Sequence, residues 1–466
     1  MRAITLVACF LLPAASAADG DIDRTFGADG HVVLAPADAS LSAFTVAITD
    51  DDRIVVGGYR WAFSQQGMPS QPVVWRLLAN GALDPSFGDG GVAVIPTSAR
   101  AGTLPAAWSI LPLHDGDLLA AGNVGGFGVA RLSADGHLDP GFGVGGVTTI
   151  AFDDLGIDAT TAYTLALDSE GRILVAGGGH ARDVSGWSVG IAARLSAGGV
   201  LDPQFASGGR FVFTAGDATT QQETTLLGVA SDDSNRVWLS GRTQAVPYSP
   251  NYSALAVRLA ADGTRDDTFG SAGVVIANRH AGSDDDTGAA VLRNGHLTIG
   301  GICDPYAGLE PALCLVRIDA DGHIDTGFGD GGWVSAPLDG AFAWRNSAIA
   351  CGADGRCVLL GTYRDPATSH RQFILLRIDA DGMPDATFGD GGVVRIDVPA
   401  DVDGSHVTAR AIALQDGRPI PVGTTDGVPY VSALYATRLM SDPIFVDGFD
   451  APHLLKERSK RTGRRT

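Results

Sequence analysis

"GALDPSFGDGG" (81–91) returns as "GHLDPGFGVGG" (136–146), "GHIDTGFGDGG" (322–332) and "GMPDATFGDGG" (382–392). A turn that recurs at a regular spacing is a unit of architecture. Its aromatic falls at Phe26, Phe87, Phe142, Phe205, Phe269, Phe328 and Phe388, at intervals of 55 to 64 residues. An Arg stands eleven positions before six of them: Arg76, Arg131, Arg194, Arg258, Arg317 and Arg377. A fixed offset across varying sequence marks a genuine repeat.

A second landmark lies between the turns: "RIVVGG" (53–58), "DLLAAG" (117–122), "RILVAG" (172–177), "RVWLSG" (236–241), "HLTIGG" (296–301), "RCVLLG" (356–361) and "RPIPVG" (418–423). Each follows a short Asp-, Asn- or Gly-rich stretch, the residues that tolerate the positive φ of hairpin turns. The unit therefore reads as four strands. In the third unit, strand a is "AYTLALD" (162–168), b is "RILVAGG" and c is "GIAARLS" (190–196); d follows the Phe turn. Turns at this density, with no long helical period, predict an all-β chain, and four antiparallel strands per unit make a β-propeller blade. The chain opens with one turn and one d strand ("HVVLAP", 31–36) and ends on an a-b-c set (407–439). We expect seven blades, with six and eight as alternative counts, and a ring closed by the N-terminal strand joining the last blade.

The motif D-G-x-L-D-x-x-F-G-x-G-G with a preceding R-L or R-I resembles that of the delta-60 repeat proteins, a bacterial group taken to be β-propellers. The resemblance covers roughly 21–440. Two copies depart from it: "FASGG" (205–209) lacks the Gly after Phe, and "FGSAG" (269–273) carries Ala272. The resemblance implies a fold and no substrate or catalytic residue.

The turn itself accounts for its residue types structurally. Asp84, Asp139, Asp202, Asp266, Asp325 and Asp385 are placed to accept backbone N–H groups. Phe87, Phe142, Phe205, Phe269, Phe328 and Phe388 are placed to seal the blade. The sharper reading is calcium held by carboxylates such as Asp319, Asp321 and Asp325. Calcium wants six to eight oxygens, and the first Asp is Ser or Ala in other copies. No cofactor is expected, with calcium as the alternative.

Among 466 residues there are 33 Lys and Arg against 53 Asp and Glu. Without Arg2 and the tail at 456–466, which has six basic residues and one acid, 26 basic and 52 acidic residues remain, a net charge of −26. A body this acidic argues against nucleic acid and anionic membranes as partners. Residues 1–17 read as a signal peptide: Arg2, an apolar run from Ala3 to Leu12, and a small-residue cleavage site at 15–17. The run is too short to span a bilayer. The propeller is assigned to 18–440 and a basic, disordered tail to 441–466. Cys9 leaves with the leader, and Cys303, Cys314, Cys351 and Cys357 remain. Two local disulfides, 303–314 and 351–357, fit an exported protein in the periplasm or outside the cell. A monomer is expected.

Repetition marks the a–b and c–d face as scaffold, whereas the b–c and d–a loops vary, and variation on a rigid frame is where binding sits. Tyr59, Trp61, Phe63, Tyr248, Tyr252, Tyr306 and Tyr363 fall there, residue types suited to stacking on sugars or anchoring a peptide. No nucleophile or zinc-hydrolase motif is present. The expectation is a non-enzymatic module that binds a protein or glycan. The alternative is a polysaccharide hydrolase or lyase with axial carboxylates, for which "DDD" (284–286) is the candidate.

Overall fold

The computed structural model describes residues 18–63, 70–97, 105–182, 187–216, 222–244, 251–280, 285–303, 311–338, 344–398, 406–426 and 432–441. They form 28 strands and one short 3-10 turn. Strand β1 (His31–Leu34) comes first. Blade 1 follows as β2 (Ala39–Ile48), β3 (Ile54–Ala62), β4 (Gln71–Leu77) and β5 (Val92–Val94). Blade 2 is β6 (Ala107–Pro112), β7 (Leu118–Asn123), β8 (Phe127–Leu132) and β9 (Val147–Thr149). Blade 3 is β10 (Ile157–Leu167), β11 (Ile173–Ala181), β12 (Ser188–Leu195) and β13 (Arg210–Phe213). Blade 4 is β14 (Glu223–Ser231), β15 (Val237–Gln244), β16 (Ser253–Leu259) and β17 (Val274–Ala277). Blade 5 is β18 (Asp285–Arg293), β19 (His296–Cys303), β20 (Ala312–Ile318) and β21 (Trp333–Pro337). Blade 6 is β22 (Trp344–Cys351), β23 (Cys357–Arg364), β24 (Arg371–Ile378) and β25 (Val393–Ile396). Blade 7 is β26 (Val407–Gln415), β27 (Arg418–Asp426) and β28 (Ser432–Thr437), and its fourth strand is β1.

The chain is thus a seven-bladed β-propeller of four-stranded antiparallel sheets. Its ring is closed by β1 pairing with β28 from His31 opposite Thr437 to Leu34 opposite Leu434. The first strand of each blade packs on the first strands of both neighbours, so these seven strands surround the axis.

The near-continuous apolar b strands follow from this geometry. A strand shows alternate residues to opposite faces, and each blade has a neighbour on both. In β11, Ile173 and Val175 enter a core shared with blade 2, while Leu174 and Ala176 enter one shared with blade 4. Seven such cores fill the seven interfaces. Both disulfides are local: Cys303–Cys314 ties b to c in blade 5, and Cys351–Cys357 bridges an a–b hairpin in blade 6. No helix among the described residues is long and apolar enough to cross a membrane.

Candidate functional site

The repeated turn is a belt that links each blade to the next. Its Phe is buried in all seven copies. The backbone N–H after that Phe crosses to a carbonyl of the following turn: Gly27 to Asn80 (2.7 Å), Gly88 to Asp135 (2.7 Å), Gly143 to Gly198 (3.0 Å), Ala206 to Asp262 (2.7 Å), Gly270 to Asp321 (2.9 Å), Gly329 to Asp381 (2.8 Å) and Gly389 to Asp19 (3.1 Å). The seventh link returns to the start of the chain. The Gly two residues before the Leu position sits against the preceding Phe. At Gly322, with φ +85°, an added Cβ would lie 2.3 Å from Gly270 N.

The Arg that served only as a marker carries the energetics. Arg258 donates from Nε to Asp266 (2.8 Å), lies over the Phe269 ring (4.6 Å) and donates to the Ala320 carbonyl of the next blade. Arg76, Arg194 and Arg317 repeat this with Ala134, Ala261 and Ala380. Arg377 uses the Asp19 carboxylate instead. Arg438 takes its Asp and Phe from the chain's other end: Asp23, 415 positions away, at 2.8 Å, and the Phe26 ring at 4.9 Å. Phe449, eleven positions after Arg438 in the sequence, lies outside the described residues. Arg131 departs from the pattern, binding Asp117 and Asp115 (both 2.8 Å) with Asp139 at 3.5 Å.

Burial by itself would push the turn carboxyls up. The Thr25 and Ser86 donors together with Arg438 and Arg76 instead hold Asp23 and Asp84 below the usual carboxylate range. Asp202, Asp266, Asp325 and Asp385 are held low by the same arrangement of turn donors and Arg. The carboxylates that suggested calcium are engaged as well. Asp319 accepts the N–H groups of Asp321 (2.9 Å) and His323 (2.8 Å), and Asp325 holds Arg317 at 2.7 Å. Among the described residues no three His, Cys, Asp or Glu side chains gather as a metal site requires.

The second landmark has its own structural reason. Each a strand carries a one-residue β-bulge opposite the landmark Gly; in blade 6 the irregularity spans 345–347. The bulge folds a carbonyl over that Gly, so that a Cβ on Gly58 would lie 1.8 Å from Ser42 O. The unpaired residues are Phe44, Trp108, Tyr163, Leu227, Gly288 and Arg410. They meet around the axis: Arg410 lies 5.1 Å from the Phe44 centroid, Phe44 stacks on Trp108 (3.9 Å), and Trp108 meets the Tyr163 edge (5.6 Å). Trp108 Nε1, closed off from solvent, finds no acceptor among the described residues. Burial pushes the Tyr163 phenol up. These axial residues escaped sequence reading, although they stand thirteen or fourteen positions before each landmark Gly.

The expected binding aromatics scatter over different environments. Trp61 (53% exposed) and Phe63 (47%) stand free at the variable-loop face of blade 1. Tyr59 lies inside β3 and leans on Phe44, 5.7 Å away. Tyr252 is covered by Arg242 (4.6 Å). Tyr363 lies inside β23, buried (8% exposed) in the core between blades 5 and 6 and capped by Arg395 (4.8 Å). The b strands run past their landmark, which turns expected loop positions into strand positions. Tyr248 and Tyr306 lie outside the described residues, as does Asp284. Asp285 is buried in β18, where its carboxylate accepts the Arg279 N–H (2.8 Å). Other carboxylates of this face are held locally, Asp38 by Arg60 (2.6 Å) and Asp158 by Arg182 (3.4 Å).

Residues 49–87 and 114–142 match a family model described as "Domain of unknown function (DUF5122) beta-propeller". Both windows run from an a–b turn to the buried Phe of the next c–d turn. No curated protein matches the sequence. Solved structures resemble the fold at low identity. A catalytically inactive virginiamycin B lyase from Staphylococcus aureus, solved with quinupristin, is 10% identical (TM-score 0.44), over 88% of this chain and 99% of that one. Trypanosoma rangeli sialidase with sialic acid is 12% identical (TM-score 0.40), over 92% of this chain and 59% of that one. Pyrococcus horikoshii acylaminoacyl peptidase is 9% identical (TM-score 0.44), over 92% and 54%. The chain thus spans little more than half of the last two proteins.

Proposed function

We propose that this chain is an exported, non-enzymatic propeller of the delta-60 repeat type that binds a protein or glycan through its variable b–c and d–a loop face. One observation carries the reading: the seven turn phenylalanines are buried, yet Trp61 and Phe63 stand about half exposed on that face. Large aromatics held on a rigid strand end are suited to be binding anchors, because little conformational freedom is lost when they are covered. Export is supported by the two disulfides, which belong to oxidising compartments.

Capture on immobilised 18–466 from envelope and secreted extracts tests the proposal, run beside forms with 59–72 or 242–252 shortened. A partner held by the first and lost by a shortened form names the ligand. Equal capture by all forms removes the role of this face. Turnover of a polysaccharide, lost when Asp284, Asp285 and Asp286 become Asn with the fold intact, would establish the hydrolase or lyase reading instead.

A further inference from the structure

Across a seam, the residue just before one blade's landmark Gly shares a core with the residue just before the next blade's bulge. Three seams place apolar side chains there: Ala121 with Ala162, Ala176 with Leu226, and Val422 with Ala43. The seam between blades 4 and 5 places Ser240 and Thr287 at these two positions. Trp238, on the same face of β15 as Ser240, packs in the core shared with blade 5. Thr287 lies opposite Gly301, on the face of blade 5 that brings Cys303 into that core. An added Cβ on Gly228 would lie 2.2 Å from Ser240 Oγ and 3.5 Å from Ala290 Cβ of blade 5, so this hydroxyl stands at the seam itself. Ser240 is 1% exposed and Thr287 0%. Both hydroxyl oxygens are closed off from solvent, and neither has a hydrogen-bond partner among the described residues. Hydroxyls that meet across the seam between blades 7 and 1 do bond. Ser42 Oγ and Thr424 Oγ1 are 3.0 Å apart, and Thr424 Oγ1 also accepts the Ala43 N–H at 3.3 Å.

We propose that the seam between blades 4 and 5, marked by the Ser240 and Thr287 hydroxyls, is where this ring opens. A hydroxyl buried without a bond has given up its water for nothing. Each one shifts the equilibrium between closed and open seam by about tenfold toward the open form, in which water bonds to it. The belt side of the same seam is latched. Gly270 N–H donates to Asp321 O at 2.9 Å, and Arg258 donates to the Ala320 carbonyl. The movement is therefore hinged at the belt and opens toward the variable-loop face. Blade 5 moves as a unit, because its b and c strands are tied by the Cys303–Cys314 disulfide.

Hydrogen exchange read by mass spectrometry on the full chain tests this. We expect β18 to exchange at least about tenfold faster than β10, the strand at the same place in blade 3. Ser240→Ala combined with Thr287→Val should slow β18 by about ten- to a hundredfold and raise the urea midpoint, the opposite of what core substitutions usually do. Ala121→Ser puts a hydroxyl into the seam between blades 2 and 3. It should speed β10 by about tenfold and leave β18 unchanged. If the double variant fails to fold, Ser240→Ala alone and the comparison of β18 with β10 in the parent protein decide. Three results overturn the proposal: β18 exchanging no faster than β10, no slowing of β18 when the hydroxyls are removed, or a crystal structure in which ordered water bonds to both hydroxyls of a closed seam.

Discussion

The two faces of this ring are built from the same strands and hold their side chains in opposite ways. On the belt face one Arg, one Asp and one Phe repeat from blade to blade, and each guanidinium of the standard kind spans a turn and the carbonyl of its neighbour. On the variable face Asp38 and Asp158 pair within their own blades, with Arg60 and Arg182, Arg279 crosses to Ser335 of the next blade, and no one contact repeats around the ring among the described residues; Trp61 and Phe63 are left exposed. Contacts between blades make a ring, whereas contacts within a blade leave its loops free to diverge. The belt is therefore where stability concentrates, and the other face is where recognition has room.

The largest effect should follow from breaking one belt latch. Arg258→Ala removes a side chain that is 2% exposed, takes the cation from Asp266 and one donor from the Ala320 carbonyl, and should cost about 3–5 kcal/mol. Arg131→Ala is the control inside the same belt. Arg131 is 21% exposed and its partners Asp115, Asp117 and Asp139 are 56%, 19% and 32% exposed, so solvent screens these pairs more and a smaller loss, about 1 kcal/mol, is expected. Urea unfolding of both variants measures the difference. Equal losses would mean that the latch geometry adds nothing to the ring.

A smaller effect separates two glycines of one turn. Gly322→Ala places a methyl against the neighbouring blade's backbone at φ +85°, and we expect a cost of about 2–4 kcal/mol. Gly331→Ala meets nothing within 4 Å at φ +59°, so only the backbone term of about 1–2 kcal/mol applies. Chemical denaturation that ranks them in reverse would remove the docking role of Gly322.

Acid should loosen the belt before the loops. Six turn carboxyls have folded pKa values below the ordinary range, so their contribution is complete above the unfolded value of about 3.9 and is lost as pH falls through the folded values. Urea midpoints should hold from pH 7 to about 5 and fall steadily toward pH 2. Asp84→Asn should lower the neutral-pH midpoint and flatten part of that slope. A midpoint unchanged down to pH 2 would show that these pairs do not stabilise the fold.

The belt was legible in the sequence because a ring of equal blades needs one chemistry seven times. The Phe positions, the blade count, the closing strand and both disulfides follow from spacing. The role of Arg76 and its equivalents did not, because their acceptors are backbone carbonyls some sixty positions on, and a carbonyl leaves no residue type to read. The bulge was hidden for the same reason. Gly58 is visible, but the carbonyl of Ser42 that requires it is not. On the variable face no motif repeats, so exposure alone separates Trp61 from Tyr363, and exposure is a property of the folded chain.

That last pair sets a core aromatic against an exposed one, includes the smallest stability effect expected, and is the sharpest test of the division between faces. Tyr363 fills a core, so Tyr363→Ala should cost about 3–5 kcal/mol. Trp61→Ala and Phe63→Ala remove side chains that touch solvent and should stay within about 0.5 kcal/mol of the parent protein. If the variable face binds, the order reverses in the capture experiment: the two variants that leave stability alone lose the partner. A Trp61→Ala protein that is fully stable and still captures the same partner would detach recognition from blade 1.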